Sequence, residues 1–351
     1  MTQLFTCWTA EVGAADAARA GGKAAALGEL ARAGLPVPRG FVITTAAFLL
    51  HMDGADPDGA ARGALGALGA DDLAGIARAA AGLRGRVVAA GLPPEVASEI
   101  APACAALGEG PVAVRSSATL EDSAEASFAG LQDTYLAVRG TDAVLDRVRA
   151  CWASLYNDES VAYRRRQGTG EDGLAMGVVV QRMLNPRSAG VMFTRSPVTG
   201  DRSVVAIEGT WGLGSALVGG EVTPDSFTVS KVTGEITGRR VGVKLRVHSF
   251  TPNGQGISAT PMAVPLRRTP CLTDDEVRTL ARLGQQVEDH YGAPQDIEWA
   301  LLGDSHADLA NGFVLLQSRP ETVWAARDRG PIASPQAKAS DHVLARFSRG
   351  L

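Results

Sequence analysis

The chain has 351 residues, 45% of them hydrophobic and 21% charged, enough to bury a substantial core in two domains or two lobes. A net charge of −4 gives no electrostatic support to a general nucleic-acid or membrane-surface role, although local anion sites remain open. Cys7, Cys104, Cys151 and Cys271 are scattered without a CxxC pair, so neither a zinc site nor a disulfide scaffold is expected. The N-terminal stretch MTQLFTCWTAEVG lacks the basic and apolar regions of a signal peptide. No apolar run approaches the ~20 residues that span a bilayer, and a cytoplasmic protein is expected.

In chain order, Gly21-Gly22-Lys23 opens an alanine-rich helix that Gly34 ends, with Pro36 and Pro38 preventing its return. Residues 55–108 read as further surface-packed helices. Pro111 to Arg115 is a short extended run ending in two serines. Thr141 is expected to cap a helix with Val144, Leu145, Val148, Trp152 and Leu155 at helical spacing. From about residue 174 the runs LAMGVVVQRML, AGVMFT and SVVAIEG are β-rich and divided by Pro and Gly. SFTVS and the segment from Glu235 to Leu245 flank Thr233-Gly234 as a hairpin. Thr273 and Glu276 form a capping box for a helix that Gly292 and Pro294 stop. Two strands follow, Asp296 to Leu302 and Phe313 to Ser318, separated by the polar loop GDSHADLANG. The pattern predicts an α+β protein with a helix-rich lobe over 1–185, a sheet-rich lobe over 186–325 and a polar tail over 326–351.

Several segments could carry chemistry. Gly21-Gly22-Lys23 offers a close backbone approach, free N–H groups and a cation to an anion, or it is an ordinary turn before a helix. It is not a Walker A loop, because position 17 is Ala and Ala24 follows Lys23. Arg115, ending an apolar strand, needs a partner, either phosphate or a nearby acid such as Glu121 or Asp122. EASFAG, from Glu125 to Gly130 and followed by Thr134, suits a polyphosphate or a plain tight turn. Asp296-Ile297-Glu298 places two carboxylates on one strand face, and Gln317-Ser318-Arg319 does the same with an amide and a guanidinium. These oxygens suit Mg²⁺ and the arginine suits a phosphoryl group, while a solvated strand face is the plainer alternative. Gly209 to Gly220 has the glycine density of a ligand loop, yet Leu217 occupies the third glycine's place in a dinucleotide fingerprint. Arg164-Arg165-Arg166 reads as a solvated helix face, and the five histidines read as isolated.

Taken together, GGKAAALGELARAGLPVPRGFVITTAAF, VAVRSSATLEDSAEASFAGLQDTYL, VVVQRMLNPRSAGVMFTRSPVTG, IEGTWGLGSALVGGEVTPDSF, DIEWAL and LLQSRPETVW resemble the ATP-binding domain of the phosphoenolpyruvate synthase and pyruvate phosphate dikinase family. The resemblance runs in family order over most of residues 11–325. It extends to rifampicin phosphotransferase and the ATP-binding subunit of phenylphosphate synthase. It implies an ATP-grasp-like fold with nucleotide between the lobes. Lys23, Arg115 and Arg319 would be catalytic, with Lys23 and Arg115 on the phosphates beneath a glycine-rich loop that carries Gly130 and Thr134. Gln181, Met183 and Leu184 would hold adenine. Glu298 and Gln317 would ligate Mg²⁺ with support from Asp296, and Arg319 would stabilise transferring phosphoryl charge.

Two departures from the family pattern shape the expected function. None of His51, His248, His290, His306 and His342 stands in the family's Thr-(Ser/Cys)-His context, and the residues after the ATP-binding motifs are not expected to form a substrate domain. The resemblance therefore implies an ATP-binding subunit that passes (pyro)phosphoryl to a histidine on a separate partner protein, with AMP and phosphate as by-products. A self-contained ATP-grasp ligase and a non-catalytic ATP-binding protein are the rivals. The GDSHADLANG loop is either a modifier of access to the metal site or a surface insertion. The tail, with Val343, Leu344 and Phe347, is either a docking segment or a helix packed on its own domain.

Overall fold

The computed structural model describes residues 4–69, 71–119, 133–166, 170–171, 173–303 and 312–324, with the backbone of 122–123 and 126–127. Up to residue 182 the strands are β1 (Thr6–Trp8), β2 (Gly40–Ile43), β3 (Val112–Ala118), the pair β4 (Asp122–Ser123) and β5 (Ala126–Ser127), β6 (Thr134–Val138) and β7 (Met176–Arg182). After it come β8 (Pro186–Phe193), β9 (Val204–Trp211), β10 (Asp225–Ser230), β11 (Ile236–Arg240), β12 (Arg246–Phe250), β13 (Ile257–Pro261), β14 (Gln295–Leu302) and β15 (Phe313–Pro320). The helices are α1 (Ala17–Ala20), α2 (Gly22–Arg32), α3 (Thr45–Ala55), α4 (Ala60–Ala67), α5 (Leu73–Ala89), α6 (Pro94–Leu107), α7 (Thr141–Ser154), α8 (Asp158–Arg166), α9 (Ser215–Val218) and α10 (Asp274–Tyr291).

This is an α+β protein with two main antiparallel sheets, ordered β1-β2-β7-β3-β6 and β11-β10-β9-β8-β14-β15. The chain passes from the first sheet to the second through Met183, Leu184 and Asn185. Arg182 N–H donates to the Arg39 carbonyl at 2.9 Å and Met183 N–H to the Pro111 carbonyl at 2.9 Å, which anchors the start of that connection. On the first sheet, Phe48, Leu83, Ile100, Val148 and Trp152 of the surrounding helices join one core. On the second, α10 buries Val277, Leu280 and Val287 against Met192, Phe227 and Trp299. The apolar stripe of α10 follows from its helical spacing. Its start is fixed by the Thr273–Glu276 capping box and its end by Gly292 at φ 66°.

Helix α2 ties the sheets together. Its Ala24 and Leu27 pack with Val42 and Val179 of the first sheet, whereas Leu30 joins the second core. The Tyr291 hydroxyl donates to the Ala26 carbonyl at 3.2 Å, and Leu315 N–H donates to the Pro36 carbonyl at 2.7 Å. Gly21 allows this placement. It sits at φ 81°, and a Cβ there would lie 1.8 Å from the Ser117 carbonyl oxygen. Gly21 has no side chain with which to cap the helix, so Ser117 of β3 accepts from Ala24 N–H at 3.0 Å instead.

Two local expectations are corrected. Gly140, not Thr141, is the residue before α7, and no side chain caps that helix. Arg164 is not on a solvated face: it is 1% exposed, pairs with Glu171 at 2.8 Å and donates to the Leu155 carbonyl at 2.7 Å. Its neighbour Arg165 donates to the carbonyls of Leu65 and Gly66, so the basic run stitches α8 to the end of α4. The hairpin of β12 and β13 had no clear signal in the sequence. The tail over 326–351 and positions 304–311 lie outside the described residues.

Candidate functional site

The strand parity of the last hairpin builds one wall of the site. On β14, Asp296 and Glu298 are half-buried on either side of buried Ile297; on β15, Gln317 and Arg319 flank buried Ser318. The register sets Asp296 opposite Arg319 and Glu298 opposite Gln317. It then steps from Gln317 to Leu315, leaving Leu316 between them as a bulge. The carbonyl of Leu316 accepts from Arg115 Nη1 at 2.9 Å.

Arg115 reaches this wall from the other sheet. It lies on β3, beside Thr134 of β6 and Val179 of β7. Its Nη2 donates to Glu298 Oε2 at 3.2 Å and to Gln317 Oε1 at 2.5 Å, and its Nε is buried without a partner. The acid that pairs with Arg115 is thus Glu298, 183 residues away. The side chains of Glu121 and Asp122 lie outside the described residues. Lys23 is brought beside the same strand, where its Nζ donates to the Ser116 carbonyl at 3.2 Å.

Asp296 is held differently. Its Oδ2 lies 3.4 Å from Arg319 Nη2, while its Oδ1 is buried without a partner. Burial pushes the carboxyl up to about 6, outweighing the opposing pull of the Arg319 guanidinium.

Between the sheets lies a cavity of about 280 Å³. Arg115, Thr134, Gln181, Met183, Leu184 and Glu298 line it. Its remaining walls include Ala189, Gly190, Val218, Trp299, Ala300 and Leu316, so one end is apolar and the other charged. Gly190 lets β8 lie close against β9 there: a Cβ would sit 1.9 Å from the Glu208 carbonyl oxygen. A small apolar chamber with a few converging polar groups suits a small organic ligand that carries charge at one end.

Over residues 17–340 the sequence matches the family described as "Pyruvate phosphate dikinase, AMP/ATP-binding domain". The chain belongs to that family. It is 46% identical to a rifampicin phosphotransferase of a Streptomyces species, over 89% of this chain and 35% of that protein. It is 38% identical to a probable phosphoenolpyruvate synthase of Staphylothermus marinus, over 98% of this chain and 44% of the relative. With the phosphoenolpyruvate synthase of Aeropyrum pernix the identity is 36%, over 99% of this chain and 46% of the other. The chain therefore spans less than half the length of these curated relatives. As a member of the dikinase AMP/ATP-binding family, it has the two-sheet, ATP-grasp-like arrangement that its motifs imply.

Within this family member, six of the residues singled out from sequence share the cavity lining. Gln317 adjoins it through Arg115, while Lys23, Asp296 and Arg319 are outside its lining: Lys23 bonds to the Ser116 carbonyl next to Arg115, and Asp296 and Arg319 face each other one register step from Glu298 and Gln317. Thr134 opens strand β6 rather than standing in a loop, and Gly130 lies outside the described residues. Among the described residues no group of three His, Cys, Asp or Glu could hold a metal alone, and no helix is long and apolar enough to cross a membrane.

The histidines are corrected. His248 is not isolated: its Nδ1 is 2.9 Å from the Ser215 hydroxyl and its Nε2 is 3.3 Å from Glu221 Oε2. Ser215 also lines the cavity. Sequence offered no signal for this trio beyond the glycine-dense stretch that holds Ser215, because β12 must first fold back over residues 212–221.

Proposed function

We propose that this chain binds Mg·ATP in the cavity between the sheets and transfers phosphoryl or pyrophosphoryl to a histidine on a partner protein, which then phosphorylates a small molecule. The observation that carries this reading is the convergence of Arg115 on Glu298, Gln317 and the Leu316 carbonyl at the charged end of an apolar chamber. Gln181, Met183 and Leu184 stand at the edge where the sheets join, the place for a flat base. AMP and phosphate are the by-products under this reading. A cytoplasmic setting fits the use of ATP and the four free thiols.

The residues present fit magnesium. Glu298 and Gln317 supply hard oxygen donors on facing strands, and the unpartnered Oδ1 of Asp296 is a third nearby. Because no described cluster could hold the ion alone, nucleotide phosphates would complete its shell, the usual arrangement for Mg²⁺. The bound ion would supply charge neutralisation at the transferring phosphoryl group.

The chain's own residues do the rest. On nucleotide binding, Arg115 exchanges Glu298 and Gln317 for phosphate oxygens, and those two side chains become available as ligands. Lys23, two residues past Gly21, adds a second cation on the β3 side. Arg319 exchanges Asp296 for the oxygens that gain charge as the phosphoryl group leaves. Under this reading the acceptor is the partner's histidine, since none of the five histidines here stands in the family's phosphate-accepting context.

Incubation with ATP labelled at each phosphate, with and without a histidine-bearing partner, tests the reading. Label should appear on the partner's histidine with AMP release. AMP formation at full rate by this chain alone contradicts the split arrangement.

A further inference from the structure

Ser215, His248 and Glu221 form a chain of polar contacts that ends on the cavity wall and that the transfer chemistry leaves unused. His248 is buried, and it grips the segment from Leu213 to Ser215 twice. Its carbonyl accepts from Leu213 N–H at 2.9 Å, and its ring meets the Ser215 hydroxyl at 2.9 Å. Gly212 makes the first grip feasible. It sits at φ 71°, and a Cβ there would lie 2.5 Å from the His248 carbonyl oxygen. On the far side of the ring, Nε2 faces Glu221 Oε2 at 3.3 Å.

Hydrogen-bond chemistry orders these protons. A carboxylate only accepts, so Nε2 carries a proton and donates to Glu221. In the neutral ring Nδ1 is then an acceptor, and the Ser215 O–H must donate to it. With its proton committed to His248, the Ser215 oxygen has lone pairs left to offer and no donor. Much of the surrounding wall is apolar: Leu213, Gly214 and Val218 beside it, Ala189 and Ala300 in the same lining. In such surroundings a single oriented acceptor discriminates between ligands that carry a donor and those that do not.

We propose that Ser215 is a nucleotide-contact residue: held by His248 and Glu221, it accepts a hydrogen bond from an N–H or O–H of the nucleoside half of the ligand, the base amine or a ribose hydroxyl. Ser215 makes the contact, and His248 and Glu221 act as positioning residues. This inference rests on the nucleotide reading of the cavity and adds to it the group that reads the nucleoside.

The test is calorimetric binding of ATP, 2′-deoxy-ATP, 3′-deoxy-ATP and purine riboside triphosphate, each with Mg²⁺, to the wild-type chain, Ser215→Ala, His248→Leu and His248→Asn. Ser215→Ala is expected to bind ATP about three- to tenfold more weakly, the range of one net hydrogen bond. One analogue, the one lacking the donor that Ser215 reads, should bind wild type and Ser215→Ala alike. His248→Leu should copy Ser215→Ala, whereas His248→Asn, which keeps an acceptor near the Nδ1 position, should retain ATP affinity. No loss in Ser215→Ala, or an equal loss for ATP and all three analogues, overturns the proposal. Failure of the wild-type chain to bind Mg·ATP at all overturns the nucleotide reading itself.

Discussion

At one end of the cavity Leu184, Ala189, Ala300 and Leu316 are already packed against one another, while at the other Arg115, Glu298 and Gln317 hold each other by charge and hydrogen bonds. The first end has no polar partners to give up before it receives a flat apolar group. The second must exchange partners before it can receive anything, since every cation there already meets an oxygen. Asp296 with Arg319 repeats the arrangement one register step along. The difference separates two kinds of recognition. Under the proposed function, shape selects the base at one end, and an exchange of ion pairs admits phosphate and metal together at the other. Exchange limits what each partner does alone: a bare cation meets an arginine, and a bare phosphate leaves two acids uncovered.

The largest expected effect belongs to the charged end. Arg319→Ala should lower turnover with a histidine-bearing partner by about 10²–10³-fold, the usual size for one lost charge-stabilising donor in a transition state. Affinity for ATP should change far less, so pre-steady-state transfer measured beside calorimetry separates the two effects. Equal losses in both would make Arg319 a binding residue only.

Asp296 gives a stability prediction of opposite sign to its functional role. Its folded-state carboxyl is raised to about 6, so the ionised form is disfavoured by folding. Stability of the nucleotide- and metal-free protein should therefore fall as pH rises from about 4 to 6, because the folded state binds the extra proton in that window. Asp296→Asn removes the burden. Thermal or urea unfolding should show it more stable than wild type at pH 7 by on the order of 2 kcal/mol, with no difference below about pH 4. A variant less stable at pH 7 would mean that the Arg319 contact outweighs burial.

At the packed end the effects are smaller and of another kind. Leu184→Ala should weaken ATP binding about three- to tenfold through lost apolar contact. That loss should be the same at low and high salt, whereas the loss in Lys23→Ala should shrink as salt screens the charge. Matching salt dependence in the two variants would erase the distinction between the ends.

Sequence exposed the parts of this design that depend on near neighbours. The alternation in Asp296-Ile297-Glu298 and Gln317-Ser318-Arg319 places side chains by strand parity alone, and the turn at Gly234 and the box at Thr273 are local chemistry. What stayed hidden was long-range pairing. The partners of Arg115 lie 183 and 202 residues on, and Ser117 caps a helix that begins 95 positions before it. Three successive arginines read as a solvated face, yet Glu171 and the Leu155 carbonyl satisfy Arg164 in the interior. His248 looked isolated because its partners arrive only when β12 folds against the loop after β9.

The exchange at Arg115 is tested most directly by titrating Mg²⁺ alone, without nucleotide, into wild type and Arg115→Ala and following the heat. In wild type the guanidinium covers Glu298 and Gln317, so bare Mg²⁺ should bind weakly. In Arg115→Ala those oxygens are uncovered, and Mg²⁺ should bind a few-fold more tightly even as Mg·ATP binds more weakly, by an amount set by about one charged hydrogen bond. Opposite signs for the metal and the nucleotide in one variant are the predicted result. Loss of both together, or Mg²⁺ affinity unchanged, would contradict it.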